Sequence, residues 1–192
     1  KSNPTKIIQF NSKDFGNFAG IFQFRNEVFV NVKHKGLYKI YNLNLKKLNK
    51  GIRFKEENIR FSAKYNSKKI LLGTSKNKIY LFDGNTFVQF ADFTEIRDFL
   101  NENILNDGIN FSSKYFVVTT LNGGCALIDK IYGKIVRIVD HQSGLPDDEI
   151  FAVAKDKNNG LWLAHEQGLS RCNIDMPVRK YSSYAGLNGA IQ

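Results

Sequence analysis

Short apolar runs separated by turn residues recur along this chain with a period near 44 residues. That period limits the available folds more than any other feature. Leu37 in GLYKIYN, Ile79 in KIYLFDG, Cys125 in GCALIDK and Leu169 in GLSRCNI open equivalent runs at intervals of 42, 46 and 44 residues. The fourth position of each run is Ile40, Phe82, Ile128 or Cys172. A second run precedes each opener: FVNV near Val30, ILLGT from Ile70, FVVTT from Phe116, and LWLA from Leu161. A further run precedes those: IFQF (21–24), IRFSA (59–63), INFSS (109–113) and IFAVA (150–154).

The unit reads best in HQSGLPDDEIFAVAKDKNNGLWLAHEQGLSRCN, residues 141–173. Ile150–Ala154 is a β-branched and aromatic run. Asn159-Gly160 then suits a two-residue hairpin turn with positive φ at both centres. Leu161–Ala164 is a second run, 165–168 a second turn, Leu169–Cys172 a third run and Val178–Tyr184 a fourth. Four short strands joined by tight turns form one antiparallel sheet.

A lone sheet of this size buries too little, and runs such as IFAVA and ILLGT are apolar on both faces. Stacking successive sheets around an axis covers both faces of each except at open ends. An all-β sandwich also has short strands, but does not require this period. The expected fold class is therefore all-β: a β-propeller of about four blades, each of four antiparallel strands. The units are read as 19–54, 55–108, 109–146 and 147–192. Residues 1–18 hold an outer strand of a preceding blade (TKIIQF resembles TFVQF) and a link. Ala185–Asn188 repeats the Gly144-Leu145-Pro146 link, so the chain reads as part of a larger propeller. An open arc leaves an apolar blade face at each end, and self-association through those faces is expected.

Residues 92–108 are longer than the later link requires. Ile96, Phe99, Leu100 and Ile104 fall at helical spacing after a capping Thr94. Two roles stay open for this helix: a loop packed on the propeller by its apolar stripe, or an element of the binding face.

Composition is that of a globular domain, with 42% hydrophobic and 24% charged residues. There is no apolar run of about 18 residues, so no membrane contact by this region is expected. KSNPTKIIQF has no apolar signal core. Net charge is +10, but the lysines are scattered and no run of five basic residues occurs. A solvated basic surface is expected, and no nucleic acid partner. Cys125 and Cys172 lack metal-ligand spacing and read as small buried hydrophobes, with one bridge between them left open.

Gly144-Leu145-Pro146, Ile150, Val153, Asp156, Gly160-Leu161-Trp162 and Gly168-Leu169 resemble the two-component regulator propeller repeat. That repeat runs Gly-Leu-Pro, a strand, Asp-x-x-Gly-x-Leu-Trp-Ile-Gly-Thr, then Gly-Leu. The match is sharp over 143–173 and weaker before, where Gly73-Thr74 keeps a Gly-Thr pair that Ala164-His165 replaces. The resemblance implies the extracytoplasmic, periplasmic sensor region of a hybrid histidine kinase, with an oligosaccharide as one class of ligand. It implies no cofactor.

Site residues are sparse. Trp162 reads as core between blades, with sugar stacking as the alternative. Gly160 and Gly168 read as turn glycines. Asp156–Gly160 is faintly like a calcium loop, but Gln167 stands where an acid is needed. His34, His141 and His165 lie in different units with no catalytic spacing, so they read as solvated turn residues and no enzyme is expected. The candidates for ligand contact are His165 and Glu166 on one rim, and His141, Asp147 and Asp148 on the other. The functional alternatives are a protein-interaction propeller without a small ligand and, third, a propeller lyase.

Overall fold

A computed structural model describes residues 7–90 and 94–174. A short helix α1 (Ser12–Phe15) precedes four antiparallel sheets. The first holds β1 (Phe18–Phe24), β2 (Glu27–Val32), β3 (Gly36–Tyr41) and β4 (Asn44–Lys47), followed by a 3-10 turn over Asn49–Lys55. The second holds β5 (Ile59–Lys64), β6 (Ile70–Thr74), β7 (Ile79–Phe82) and β8 (Phe87–Gln89), followed by helix α2 (Thr94–Asn103). The third holds β9 (Leu105–Asn110), β10 (Tyr115–Thr120), β11 (Cys125–Asp129) and β12 (Ile135–Val139). The fourth holds β13 (Ile150–Lys155), β14 (Gly160–His165) and β15 (Gly168–Asn173). Each sheet is a simple meander in sequence order. First strands β1, β5, β9 and β13 are successive neighbours. These are the blades of a β-propeller arc.

The repeat positions explain how blades join. Leu37, Ile79 and Cys125 are buried in the clusters between blades one and two, two and three, and three and four. Each faces the following blade. Phe82, Ile128 and Cys172, three residues further along the run, pack toward the preceding blade. An odd spacing on a strand puts two side chains on opposite faces. One run of four residues thus supplies half of two interfaces. In the first interface Phe82 packs edge-on to Phe29 at 5.1 Å and stacks on Phe87 at 4.5 Å.

The end faces continue the pattern without a neighbour among the described residues. Trp162 occupies the register position of Phe29, Leu71 and Val117, which are fully buried. Trp162 itself is 39% exposed and Leu169, in the opener's position, 70%. Trp162 is not fully buried like its counterparts because, among the described residues, no sheet covers that face of blade four. At the other end, Ile21 (70% exposed), Val30, Ile40 and Leu45 line an apolar groove of about 430 Å³.

Several local expectations are corrected. Ile7–Phe10 is in no strand and pairs with no sheet among the described residues; Phe10 packs on Phe15 of α1. Residues 5–6, Val178–Tyr184 and Ala185–Asn188 lie outside the described residues. The third blade starts at Leu105 and not at 109, since Ile104 at φ +59° turns the chain straight from α2 into β9. Phe111 and Ser112 leave the strand, their N–H groups both donating to Tyr115 O. Asn159-Gly160 is not a two-residue turn: Asn159 has φ +62°, Gly160 opens β14, and Lys155 pairs with Leu161 across a loop of residues 156–159. The Arg171 guanidinium lies over Gly160, where a Cβ would meet it at 2.2 Å and displace that side chain.

Helix α2 lies where expected. Ile96 and Leu100 enter the cluster between blades two and three, with Phe99 at its edge. Ile104 falls beyond its end. The helix is a packed wedge, and Ile135 N donates to Glu95 Oε2 at 3.3 Å. Both cysteines are free; Cys125 is buried, and burial pushes its thiol pKa up.

The turns after first and third strands form one rim, where cations staple neighbouring blades. Lys130 is buried and donates to Tyr65 O (3.1 Å), Asn110 Oδ1 (2.5 Å) and Ser112 O (2.6 Å). Lys155 donates to Phe111 O at 2.5 Å and Arg25 to Lys68 O at 3.1 Å. Part of the basic excess is therefore structural.

Gly73 carries a specific steric demand. A Cβ there would lie 1.9 Å from the Phe61 ring, which also crosses Gly108. Gly73→Ala is expected to destabilise the fold by about 1–3 kcal/mol through overpacking. Urea denaturation checks this, and Phe61→Leu added to Gly73→Ala is expected to recover part of the loss.

Candidate functional site

Alternating strand directions fix which loops share an edge. The turn from second to third strand and the link from one blade to the next emerge on the same rim. Hydrogen bonds tie them together: Ser75 N to Asn58 O (2.8 Å), Gly124 N to Asp148 O (2.9 Å), and Gln167 Nε2 to Pro146 O (3.1 Å). His165 and Glu166 are therefore on the same rim as His141, Asp147 and Asp148. The expectation of opposite rims is corrected by the antiparallel order of the strands.

Most of these candidates shape the rim itself. His165 is only 6% exposed, because it takes the buried position of Thr74 and Thr120. Its Nε2 is 2.9 Å from Ser170 Oγ, and Nδ1 is buried with no hydrogen-bond partner. It is not a solvated turn residue. Asp148 Oδ1 accepts from His141 N at 2.5 Å, and Asp147 Oδ1 from Glu149 N at 3.0 Å. His141 Nδ1 lies 3.0 Å from Leu145 O. Asp140 and Ser143 cap each other reciprocally, and Gly144 turns the chain at φ +108°. Leu145 then plugs the cluster between blades three and four. Gly168 turns at φ +128°. Glu166 is exposed, with no hydrogen bond among the described residues.

Asp156 is likewise committed to architecture. Its Oδ1 accepts from Asn158 N and Gly160 N, both at 2.8 Å. Its Oδ2 accepts from Trp162 Nε1 (3.1 Å) and Arg171 Nε (2.8 Å). Among the described residues no group of three or more His, Cys, Asp or Glu is placed to hold a metal ion.

One concave polar feature of this rim comes from residues that the sequence reading missed. Each first strand carries a β-bulge at the same place, so one residue is skipped by the pairing: Ala19, Arg60, Asn106 and Phe151. Bulges re-aim side chains near functional sites. These reach sideways between first strands. Arg60 Nη1 donates to Asn106 Oδ1 at 3.3 Å, and Asn106 Nδ2 donates to Ile150 O (3.0 Å) and Phe151 O (2.9 Å). Beside them Lys33, Asn58 and Ser75 complete a cleft of about 350 Å³. Outside the lining, buried Glu57 next to Asn58 in the chain accepts from Thr74 Oγ1 (2.9 Å) and Tyr80 Oη (3.1 Å). Burial, and then the Glu57 charge, push the Tyr80 pKa up to about 12. The one sequence signal was that residues as different as Ala, Arg, Asn and Phe follow an equivalent apolar residue in the four repeats.

Comparison with known proteins bears on fold. No family model matches the chain, and no curated protein matches it. The extracellular domain of the hybrid two component system BT4673 from B. thetaiotaomicron superposes with a TM-score of 0.62 at 17% identity, over 86% of this chain and 22% of that one. The corresponding domain of BT3049 from the same organism gives 0.53 at 15%, over 85% and 22%. The computationally designed Ika4 protein gives 0.58 at 12%, over 82% and 91%. The chain thus spans about a fifth of the two sensor domains. At these identities the likeness is one of fold. Among the described residues no helix is long and apolar enough to cross a membrane.

Hydrogen bonding, led by Arg171, holds the Asp156 pKa at about 2. A carboxyl with a lower pKa folded than unfolded stabilises the fold above its unfolded value of about 3.9. That contribution fades as pH falls through 2. Asp156→Asn is expected to lower the melting temperature at pH 7 and to flatten the loss of stability between pH 4 and 2. Acid titration followed by Trp162 fluorescence checks both.

Proposed function

We propose that this chain is a ligand-sensing propeller region of a two-component sensor histidine kinase, held on the extracytoplasmic, periplasmic side of the membrane. The observation that carries the reading is the four-blade arc, which shares its fold with extracellular domains of the hybrid two component systems BT4673 and BT3049. The repeat signature over 143–173 supports it from the sequence. The ligand class is an oligosaccharide, held on the rim where links and second-to-third turns converge. The role is binding and transmission: occupancy changes how paired receptors pack, and that bias reaches the kinase.

Pairing has a physical basis in the end faces. Blade four presents Trp162 and Leu169, the face that elsewhere meets a following blade. Blade one presents Ile21 and Ile40, the face that elsewhere meets a preceding one. The molecule thus carries both halves of its own interface, and a second copy docks head to tail. Light scattering is expected to give twice the 21.9 kDa chain mass, and Trp162→Arg to give a monomer with an intact β spectrum. A wild-type chain that stays monomeric at tens of micromolar contradicts this pairing and assigns the cover to further blades.

A thermal-shift screen of plant and host oligosaccharides tests ligand sensing. One class is expected to raise the melting temperature in proportion to the logarithm of its concentration above Kd. Absence of any stabilising saccharide for the intact ectodomain removes the direct-sensing reading. A second reading, a protein-docking propeller, is favoured by the same exposed Trp162 and Leu169, and a stoichiometric protein partner from a pull-down selects it.

A further inference from the structure

We infer that the axial cleft is a seat for the oxyanion of an acidic saccharide, with Arg60 and Lys33 as its cationic contacts. This deepens the sensor reading and rests on it. The cleft is lined by Lys33, Asn58, Arg60, Ser75 and Asn106, with Ala19 and Ile59, and contains no carboxylate. Neither Lys33 nor Arg60 forms an ion pair among the described residues, and the Lys33 ammonium has no hydrogen bond there. Some other basic groups are neutralised or absorbed: Lys39 pairs with Glu27, Arg171 with Asp156, and Lys130 with three oxygen acceptors. Two uncompensated cations on one concave surface leave a positive potential there.

Geometry favours an oxyanion over diffuse attraction. The bulge lifts Arg60 out of the strand pairing, and Asn106 holds one of its nitrogens. Asn106 is itself fixed to the β13 backbone by two hydrogen bonds. A guanidinium anchored through one nitrogen keeps donors free for a two-point bond to carboxylate or sulfate. Holding it beforehand reduces the ordering cost of binding. Ser75 Oγ accepts from Asn58 N at 2.9 Å, which leaves its hydroxyl hydrogen and the Asn58 amide for neutral hydroxyls of a ligand. The volume suits one sugar unit of a longer chain. At the next bulge Phe151, 48% exposed, offers an aromatic ring to an adjacent unit. Polar donors, paired cations and a nearby ring form the chemistry of an acidic sugar site.

The test is calorimetric titration of the full chain with a galacturonate trimer, a sulfated disaccharide and a neutral galactose trimer. At least one acidic ligand is expected to bind and the neutral one to bind at least roughly tenfold more weakly. The galacturonate and sulfated arms tell which oxyanion fits. Arg60→Gln and Lys33→Ala are each expected to weaken acidic binding about tenfold, whereas Lys157→Ala, which removes one charge from a distant turn, leaves it unchanged. Circular dichroism of each variant confirms the fold. Equal weakening by all three variants overturns the site, because only net charge then matters. Binding of the neutral trimer without the acidic ones overturns the inference and leaves the sensor reading standing. Failure of every saccharide, there and in the wider screen, removes both.

Discussion

The structure depends on one constraint: every sheet has two apolar faces, and a single sheet can cover neither. The alternation of side chains along a strand makes this unavoidable once a run such as ILLGT is apolar throughout. Burial of all five of its residues confirms the consequence. Each blade is stable only as a neighbour's neighbour, so stability accumulates along the arc. The glycines and cations follow from the same demand. Gly73 and Gly108 clear a path for Phe61 to cross an interface. Lys130 and Lys155 fasten the rim where the turns of adjacent blades approach.

Architecture was legible because the interface residues are also the repeat residues. The openers Leu37, Ile79 and Cys125, with their partners three places on, declare the period and the two faces together. The α2 helix was legible from Ile96, Phe99 and Leu100 for the same reason: burial imposes a spacing. What escaped was set by backbone detail. The start of β9 depends on Ile104 adopting a left-handed conformation, which no apolar pattern encodes. The Asn159-Gly160 pair is compatible with two loop lengths, and the longer one is found, with Lys155 paired to Leu161 and Gly160 N donating to Asp156 Oδ1.

The binding side illustrates a different limit. The titratable residues chosen from sequence, His141, Asp147, Asp148 and His165, turned out to spend their polar atoms largely on turns or burial. Arg60 was passed over because it sits inside a strand, where a polar residue reads as solvent-facing, and Asn106 because its stretch reads as part of the link before the strand. The register shows that both are skipped by the pairing, and the Arg60–Asn106 hydrogen bond shows that they meet. Rim assignment failed for a simpler reason. Counting strand reversals places both loop sets on one edge, a step that needs topology and not residue chemistry.

The bulge separates two duties that strands usually combine. Its flanking residues hold the blade together, while the skipped one is released from both pairing and core. Ala, Arg, Asn and Phe already occupy the four sockets without altering the sheets around them. Such a position can drift freely under mutation, so new ligand preferences can arise on an unchanged framework, one exchangeable side chain at a time.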